Sequence, residues 1–191
     1  MSEIYISTDI ETDGMSPRHN SMLAFGSVAV KLDRTVVSTF ERNLKPLPGA
    51  KQDPRTMKWW TSYPEAWEAI TQNPVEPSVA IHDYVEWLKQ FEETPVFVAH
   101  PIGFDYTFIW WYLHEFVGFS FGETPFAPGN LDISSYAMAV LQRPLAECYK
   151  PNLPREWFDP DLLHTHKPLE DAMEQAMLLC NMVDANMKSG R

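Results

Sequence analysis

Apolar and polar residues alternate through Ile4-Tyr5-Ile6-Ser7, the two-residue period of a strand. The run leads straight into Asp9-Ile10-Glu11 before Asp13-Gly14 supplies a turn. Met22 to Lys31 and Val36 to Leu44 are rich in Val, Phe and Thr and are divided by Asp33-Arg34, the pattern of a hairpin. Three consecutive antiparallel strands are therefore expected, stopped by Pro46, Pro48 and Gly49. A helix is expected from Pro54 to about Thr71. A second, from Ser78 to Phe91, carries Ile81, Val85, Leu88 and Phe91 on one face, with Ser78 as its cap.

Pro95 to Ala99 reads as a short apolar strand. Gly103 then lets the chain turn into a helix from Phe104 to about Phe116, with Gly118 past its end. Leu131 to Ile133 reads as a further strand leading into a helix from Ser134 to Leu141. The last helix runs from about Pro168 to Met187. Leu169, Met173, Ala176, Cys180 and Val183 form its buried stripe, and Asp171 lies off that stripe near the N-terminus. Tyr149 to Thr165, with Pro151, Pro154 and Pro160 and few periodic apolar positions, reads as a flexible loop. The alternation of strands and helices makes this an α/β chain, with acidic residues gathered where strands end and helices begin, the usual place for a ligand site in an open α/β sheet.

Composition narrows the class. At 191 residues, 45% hydrophobic and 13% aromatic, the chain suits one domain spanning residues 1–191 with a substantial core. No apolar run is long enough to span a bilayer and the opening residues lack a signal-peptide pattern, so no membrane association and a cytoplasmic location are expected. Cys148 and Cys180 have neither the spacing of a metal knuckle nor the density of a disulfide scaffold and read as two reduced thiols. A net charge of −11 argues against wrapping long nucleic acid, while leaving short ends or oligomers open as substrates.

The acidic patches carry the chemistry. Asp9 and Glu11, Asp105, Asp132, and His166 with Asp171 lie far apart in sequence on elements that can meet. Clustered carboxylates bind hard divalent cations, and two such ions about 4 Å apart can activate a water and stabilise the departing oxygen of a phosphodiester. Each residue alone has a dull reading. Asp105 at a helix start is a cap, Asp132 is the weakest candidate, and a lone histidine is usually a loop residue. The ordered combination shifts the balance.

The segments Tyr5 to Thr12, His100-Pro101-Ile102-Gly103-Phe104-Asp105, Leu131-Asp132-Ile133 and His166-Lys167-Pro168-Leu169-Glu170-Asp171 together resemble the motifs of the DEDDh family of 3′-to-5′ exonucleases. That resemblance implies a ribonuclease-H-like fold, a mixed sheet with three antiparallel and further parallel strands flanked by helices. It implies Asp9, Glu11, Asp105 and Asp171 as ligands of two Mg²⁺ or Mn²⁺ ions, His166 as general base, and Asp132 in a structural or supporting part. The substrate would be nucleic acid with a free 3′ end, with RNA favoured over single-stranded DNA, and a homodimer is consistent with the resemblance. The segment Asp53-Pro54-Arg55-Thr56-Met57-Lys58-Trp59-Trp60 is similar to an insert found in a branch containing both RNA and DNA enzymes. Adjacent tryptophans on a helix point to different sides, so one can be core while the other is free for a base or a subunit interface. Met15 and Met22 are weak candidates for packing on the terminal base.

Two departures stand out. Pro101 occupies the place where the family usually has Asn, and Asp13 adds a carboxylate that reads best as a turn residue. His164, two residues before His166, is the rival base. A non-catalytic nucleic-acid-binding or dimeric module is the reading from another class. The intact carboxylate set argues against it, because like charges repel one another without metal and a single Asn would relieve them.

Overall fold

The computed structural model describes residues 2–119, 123–188 and 190. Five strands, β1 (Glu3–Thr12), β2 (Met22–Val30), β3 (Val36–Asn43), β4 (Thr94–Ala99) and β5 (Leu131–Asp132), form one sheet in the order β3-β2-β1-β4-β5. β1, β2 and β3 pair antiparallel, whereas β4 joins β1, and β5 joins β4, in parallel. This is the mixed sheet the sequence predicts.

Helices cover both faces. On one, α3 (Pro77–Leu88) and α4 (Ile102–Val117) close over Ile4, Ile6, Phe25 and Phe97. On the other, α6 (Pro168–Lys188) lays Ala172, Ala176 and Cys180 on Val28 and Val30, while α5 (Ile133–Leu141) joins its Leu178, Leu179 and Met182. Alternation along β1 sends Ile4, Ile6 and Ile10 to the first face and its odd positions, Asp9 and Glu11 among them, to the second. Gln175 fixes α6 against β1 by donating to the carbonyl of Thr8 at 3.0 Å and to the Ser7 hydroxyl at 3.2 Å.

Several boundaries differ from the sequence expectation, each for a local reason. The helix expected from Pro54 to Thr71 is two helices, α1 (Pro54–Trp60) and α2 (Pro64–Thr71), because Pro64 cannot donate back into the preceding turn and starts a helix of its own. Likewise Pro77 opens α3, so Ser78 lies inside the helix instead of capping it. The chain turns into α4 at His100-Pro101; Gly103 is already helical and a Cβ there would meet open space. Gly118 does end α4 in the left-handed conformation, with φ 78°. Asp171 belongs to the buried face of α6, while Leu169 and Met173 are only half-buried. The loop before α6 is also more built than expected. It carries short 3₁₀ turns at Lys150–Asn152 and Arg155–Trp157, and Leu153 and Trp157 are buried against α6. No helix among the described residues is long and apolar enough to cross a membrane.

Candidate active site

The site forms where β1 loses its parallel neighbour. Pairing between β1 and β4 ends at Ser7 and Val98, after which β4 runs out and the chain enters α4. The backbone N–H of Ile10 donates instead to Oδ1 of Asp105, at 3.2 Å, which brings the first turn of α4 to the strand between Asp9 and Glu11. From the other side comes Asp171, in the first turn of α6 and one helical turn before Gln175. α6 approaches so closely because Gly26, paired with Asp9 across the β1–β2 ladder, has no side chain. A Cβ there would stand 2.4 Å from the backbone nitrogen of Leu169.

Carboxylate oxygens of Asp9, Glu11 and Asp171 lie within 4.8 Å of one another. Asp105 completes the group electrostatically, since its charge bears on both Asp9 and Glu11. Glu11, Asp105 and Asp171 are buried. Burial first, and then the neighbouring carboxylates, push Asp9 well above the usual carboxylate range and Glu11 up to about 9. Burial also raises Asp105 to about 7, against the lowering effect of the Ile10 hydrogen bond. Such a cluster of hard oxygen donors, mutually repelling without a counter-ion, fits divalent cations.

Asp171 also organises the loop ahead of it. Its Oδ1 accepts the N–H of Thr165 at 2.7 Å and its Oδ2 the N–H of His166 at 2.9 Å, and Nδ1 of His164 lies 3.1 Å from Oδ2. His166 takes a positive φ of 58°. Its ring stands edge-on to Trp59 and Tyr63, with centroids 4.8 and 4.3 Å away, and 4.5 Å from that of His164. Burial, with His164 beside it, holds its pKa below the ordinary value and favours the neutral imidazole.

The paired tryptophans divide as their spacing requires. Trp60 is buried and donates from Nε1 to the carbonyl of Thr12 at 3.0 Å, fastening the α1 segment to the end of β1. Trp59 is 40% exposed and lines a cleft of about 470 Å³ with Glu11, Met15 and Phe104. Met22 is fully buried and plays no part there. Asp13 is a turn residue. It is buried, and its carboxylate accepts the N–H of Ser21 at 2.6 Å, away from the cluster. Asp132 caps α5, accepting from the N–H of Ser135 at 2.7 Å and from that of Ile102 at 3.2 Å, so it braces the start of α4.

Two neighbours of the site were not legible as such. Lys150 forms an ion pair with buried Glu174, and its charge reaches Asp9 and Asp105. A proline-rich loop gives no periodic cue to that placement, although Glu174, three residues after Asp171, falls one turn along the same helix face.

No protein-family model matches the chain. It is 31% identical over 185 residues, spanning 92% of this chain and 89% of the relative, to the 3′-5′ DNA exonuclease Cap18 of Escherichia coli. The nuclease domain of 3′hExo, a DEDDh family member, bound to rAMP, superposes with a TM-score of 0.69 at 12% identity, covering 95% of this chain and 91% of that one. S. pombe Pop2p in its Mg²⁺- and Mn²⁺-bound form superposes with a TM-score of 0.60 at 16% identity, covering 92% and 81%. The sheet order and covering helices are those of a ribonuclease-H-like nuclease. Near-complete alignment to Cap18 joins that fold to an activity, and the chain belongs to the DEDDh family of 3′-to-5′ exonucleases acting on nucleic acid.

Proposed function

We propose that this exonuclease releases nucleoside 5′-monophosphates from the free 3′ ends of single-stranded DNA, using Asp9, Glu11, Asp105 and Asp171 to hold two Mg²⁺ or Mn²⁺ ions and His166 as general base. The observation that carries the reading is the convergence of Asp9, Glu11 and Asp171 within 4.8 Å, with the His166 ring nitrogen equally close to Asp171. Asp9, Glu11 and Asp171 would hold one ion, and Asp105 with Asp9 the other. Bound there, the ions supply a Lewis acid for the scissile phosphate and a water of lowered pKa.

The chain's own residues supply the remainder. His166 is neutral at cellular pH and accepts the proton of the attacking water at a ring nitrogen. Trp59 and Tyr63 hold that ring by its edges, which limits its rotation. The cleft at Trp59 and Phe104 takes the terminal base by stacking, a contact that tolerates any base. Glu11 lines the same cleft, so the terminal sugar lies against the end of β1 and an added 3′-phosphate would meet a carboxylate.

DNA is placed first because the relative that aligns along nearly the whole chain is a DNA exonuclease. An exoribonuclease, favoured by the sequence alone, is the second reading. The resemblance of Asp53 to Trp60 to a branch holding enzymes of both kinds is compatible with either substrate. Incubation with matched 5′-labelled DNA and RNA oligomers, single-stranded and duplex, with Mg²⁺ or Mn²⁺, decides between them. The expected result is a ladder shortening from the 3′ end, faster on single-stranded DNA, and slowed by a 3′-phosphate. Faster loss of RNA reverses the substrate order, and cleavage of circular oligonucleotides at the linear rate overturns the exonuclease reading.

A further inference from the structure

Among the residues lining the cleft at Trp59, Met15 stands apart. It is 72% exposed and belongs to the loop 13–21 between β1 and β2, yet it shares the cleft with Trp59 and Phe104. An apolar side chain so exposed has little packing to hold it, and a loop free to move would carry it away. The loop is instead tied at three levels. At its base, the N–H of Asp13 donates to the carbonyl of Ser21 at 3.0 Å, and the N–H of Ser21 donates to Oδ1 of Asp13 at 2.6 Å. At its tip, the N–H of Asn20 reaches the carbonyl of Ser16 at 2.8 Å, while Oδ1 of Asn20 accepts the N–H of Ser16 at 3.1 Å. That reciprocal pair closes a turn in which Arg18 takes a φ of 75°, a left-handed conformation that a non-glycine residue keeps only where its surroundings impose it.

The third level joins the loop to the segment that carries Trp59. Nδ2 of Asn20 donates to the carbonyl of Lys51 at 2.6 Å, two residues before Asp53 caps α1. Two backbone bonds run beside it, from the N–H of Lys51 to the carbonyl of His19 and from the N–H of Asp53 to the carbonyl of Asp13, each at 2.8 Å. A substitution at position 20 leaves those two in place, so the Asn20 amide is the part of the link that the choice of side chain decides. Gly14 makes room for it, since a Cβ there would stand 2.2 Å from Cγ of Asn20. The amide thus holds the loop to itself with its oxygen and to the lead-in of α1 with its nitrogen. A thioether and an indole kept at a fixed separation make a slot for a flat ring, because sulfur packs well against aromatic systems and any base stacks on an aromatic face.

We propose that Asn20 is a positioning residue for the terminal nucleotide: by tying the Met15 loop to the segment leading into α1, it sets the gap between Met15 and Trp59 and with it the grip on the 3′-terminal base. The proposal rests on the placement of that base in the cleft at Trp59 and deepens it.

Two single-stranded oligonucleotides test it, alike except that one ends in an ordinary 3′ nucleotide and the other in a 3′-terminal abasic residue. The wild type should favour the base-bearing end, mainly through KM. Asn20→Ala should raise KM on that end by about 5- to 20-fold, within the range that one base stack contributes, with kcat changed by less than about 3-fold. On the abasic end KM should change by less than about 2-fold, because there is no base to grip. Mn²⁺ affinity should match the wild type, since the side-chain bonds of Asn20 run to Ser16 and Lys51. Asn20→Asp keeps the acceptor for Ser16 but turns an oxygen toward the Lys51 carbonyl, so it breaks only the link to α1. It should show the same loss, and it serves if the alanine variant unfolds. Because Asn20 acts through Met15, Met15→Ala should reproduce the loss and Met15→Ala/Asn20→Ala should add little to it. A merely structural asparagine would lower Tm and leave the preference between the two ends where it was. An unchanged preference in both Asn20 variants, an equal loss on both ends, or fully additive losses with Met15→Ala overturns the proposal. A wild type that treats the two ends alike overturns the base slot and this proposal with it, while one that cleaves neither with Mn²⁺ overturns the nuclease reading itself.

Discussion

Replacing Gly26 with alanine would test how the site is assembled, because the perturbation is one methyl group and involves no reacting atom. The new Cβ would stand 2.4 Å from the backbone nitrogen of Leu169, 2.5 Å from its Cα and 2.6 Å from the carbonyl carbon of Pro168. Nonbonded carbons sit at about 3.5 to 4.0 Å, so the start of α6 must retreat by roughly 1 Å. No side chain can rotate away to absorb this, since the obstructing atoms are backbone on one side and a paired central strand on the other. Overpacking of this kind costs about 1 to 3 kcal/mol. A fall in Tm of about 2 to 4 °C for each kcal/mol follows for a chain of this size. Asp171 moves with the helix. A displacement near 1 Å in a positioned group can cost about 100-fold in rate, so kcat/KM on a single-stranded oligonucleotide should fall by about that factor. Gly129→Ala is the matched control, since a Cβ there meets nothing within 4 Å. Thermal unfolding in chelator, with nuclease assays in Mn²⁺, measures both effects. A Gly26→Ala protein with wild-type Tm and wild-type kcat/KM would refute the argument that this glycine lets α6 deliver Asp171.

Asp9→Asn should abolish the rise in Tm that Mn²⁺ gives the wild type and reduce hydrolysis to background while the metal-free fold persists; calorimetric titration of Mn²⁺ checks the binding, and a normal isotherm would contradict the assignment. The metal-free protein should also lose stability as pH rises. Glu11, at about 9 when folded, keeps a proton that the unfolded chain gives up near its ordinary value, so the folded state is favoured below that window and progressively less so across it. Asp9 and Asp105 shift in the same direction. Urea midpoints with chelator at pH 5, 7 and 9 should therefore fall, and Mn²⁺ should flatten the trend; midpoints that climb over this range would count against a crowded carboxylate cluster. His166→Ala should cost about 10²- to 10⁴-fold in kcat with little change in metal affinity. His164→Ala should cost less, and the opposite order in single-turnover assays would make His164 the base.

The parts of the fold legible in the sequence were those set by local pattern. The alternation at Ile4 to Ser7 and the Val-rich runs after Met22 give the antiparallel strands, and Gly118 marks the end of α4 as expected. The prolines were harder to read. Pro64 and Pro77 could have ended a helix or opened one, and only packing against β2, through Ala66 and Ile70, shows that Pro64 opens a separate short helix. The buried stripe of α6 was displaced for a similar reason. A helix lying on a sheet with α5 beside it buries two faces, and a single-stripe reading sees only one. Among the candidate residues, Asp9, Glu11, Asp105 and Asp171 stood out because their types and order are distinctive; the structure brings Asp9, Glu11 and Asp171 within 4.8 Å, and the charge of Asp105 bears on Asp9 and Glu11. His164 was visible only as a rival to His166, and Lys150 not at all, because its place depends on how an irregular loop folds back over α6, which no periodicity encodes.

The last two residues before the turn into α6, Thr165 and His166, both have their backbone N–H groups held by one carboxylate. Since Asp171 accepts the N–H groups of Thr165 and His166 and contacts His164, the group that would hold a cation also sets the backbone that carries His166, the proposed base. Metal binding and proton transfer therefore cannot be separated by mutating that residue. In a double-mutant cycle, Asp171→Asn and His166→Ala should be strongly non-additive, the double variant scarcely worse than Asp171→Asn alone. A catalytic sequence divided between two functions is, in its geometry, one unit with a shared point of failure.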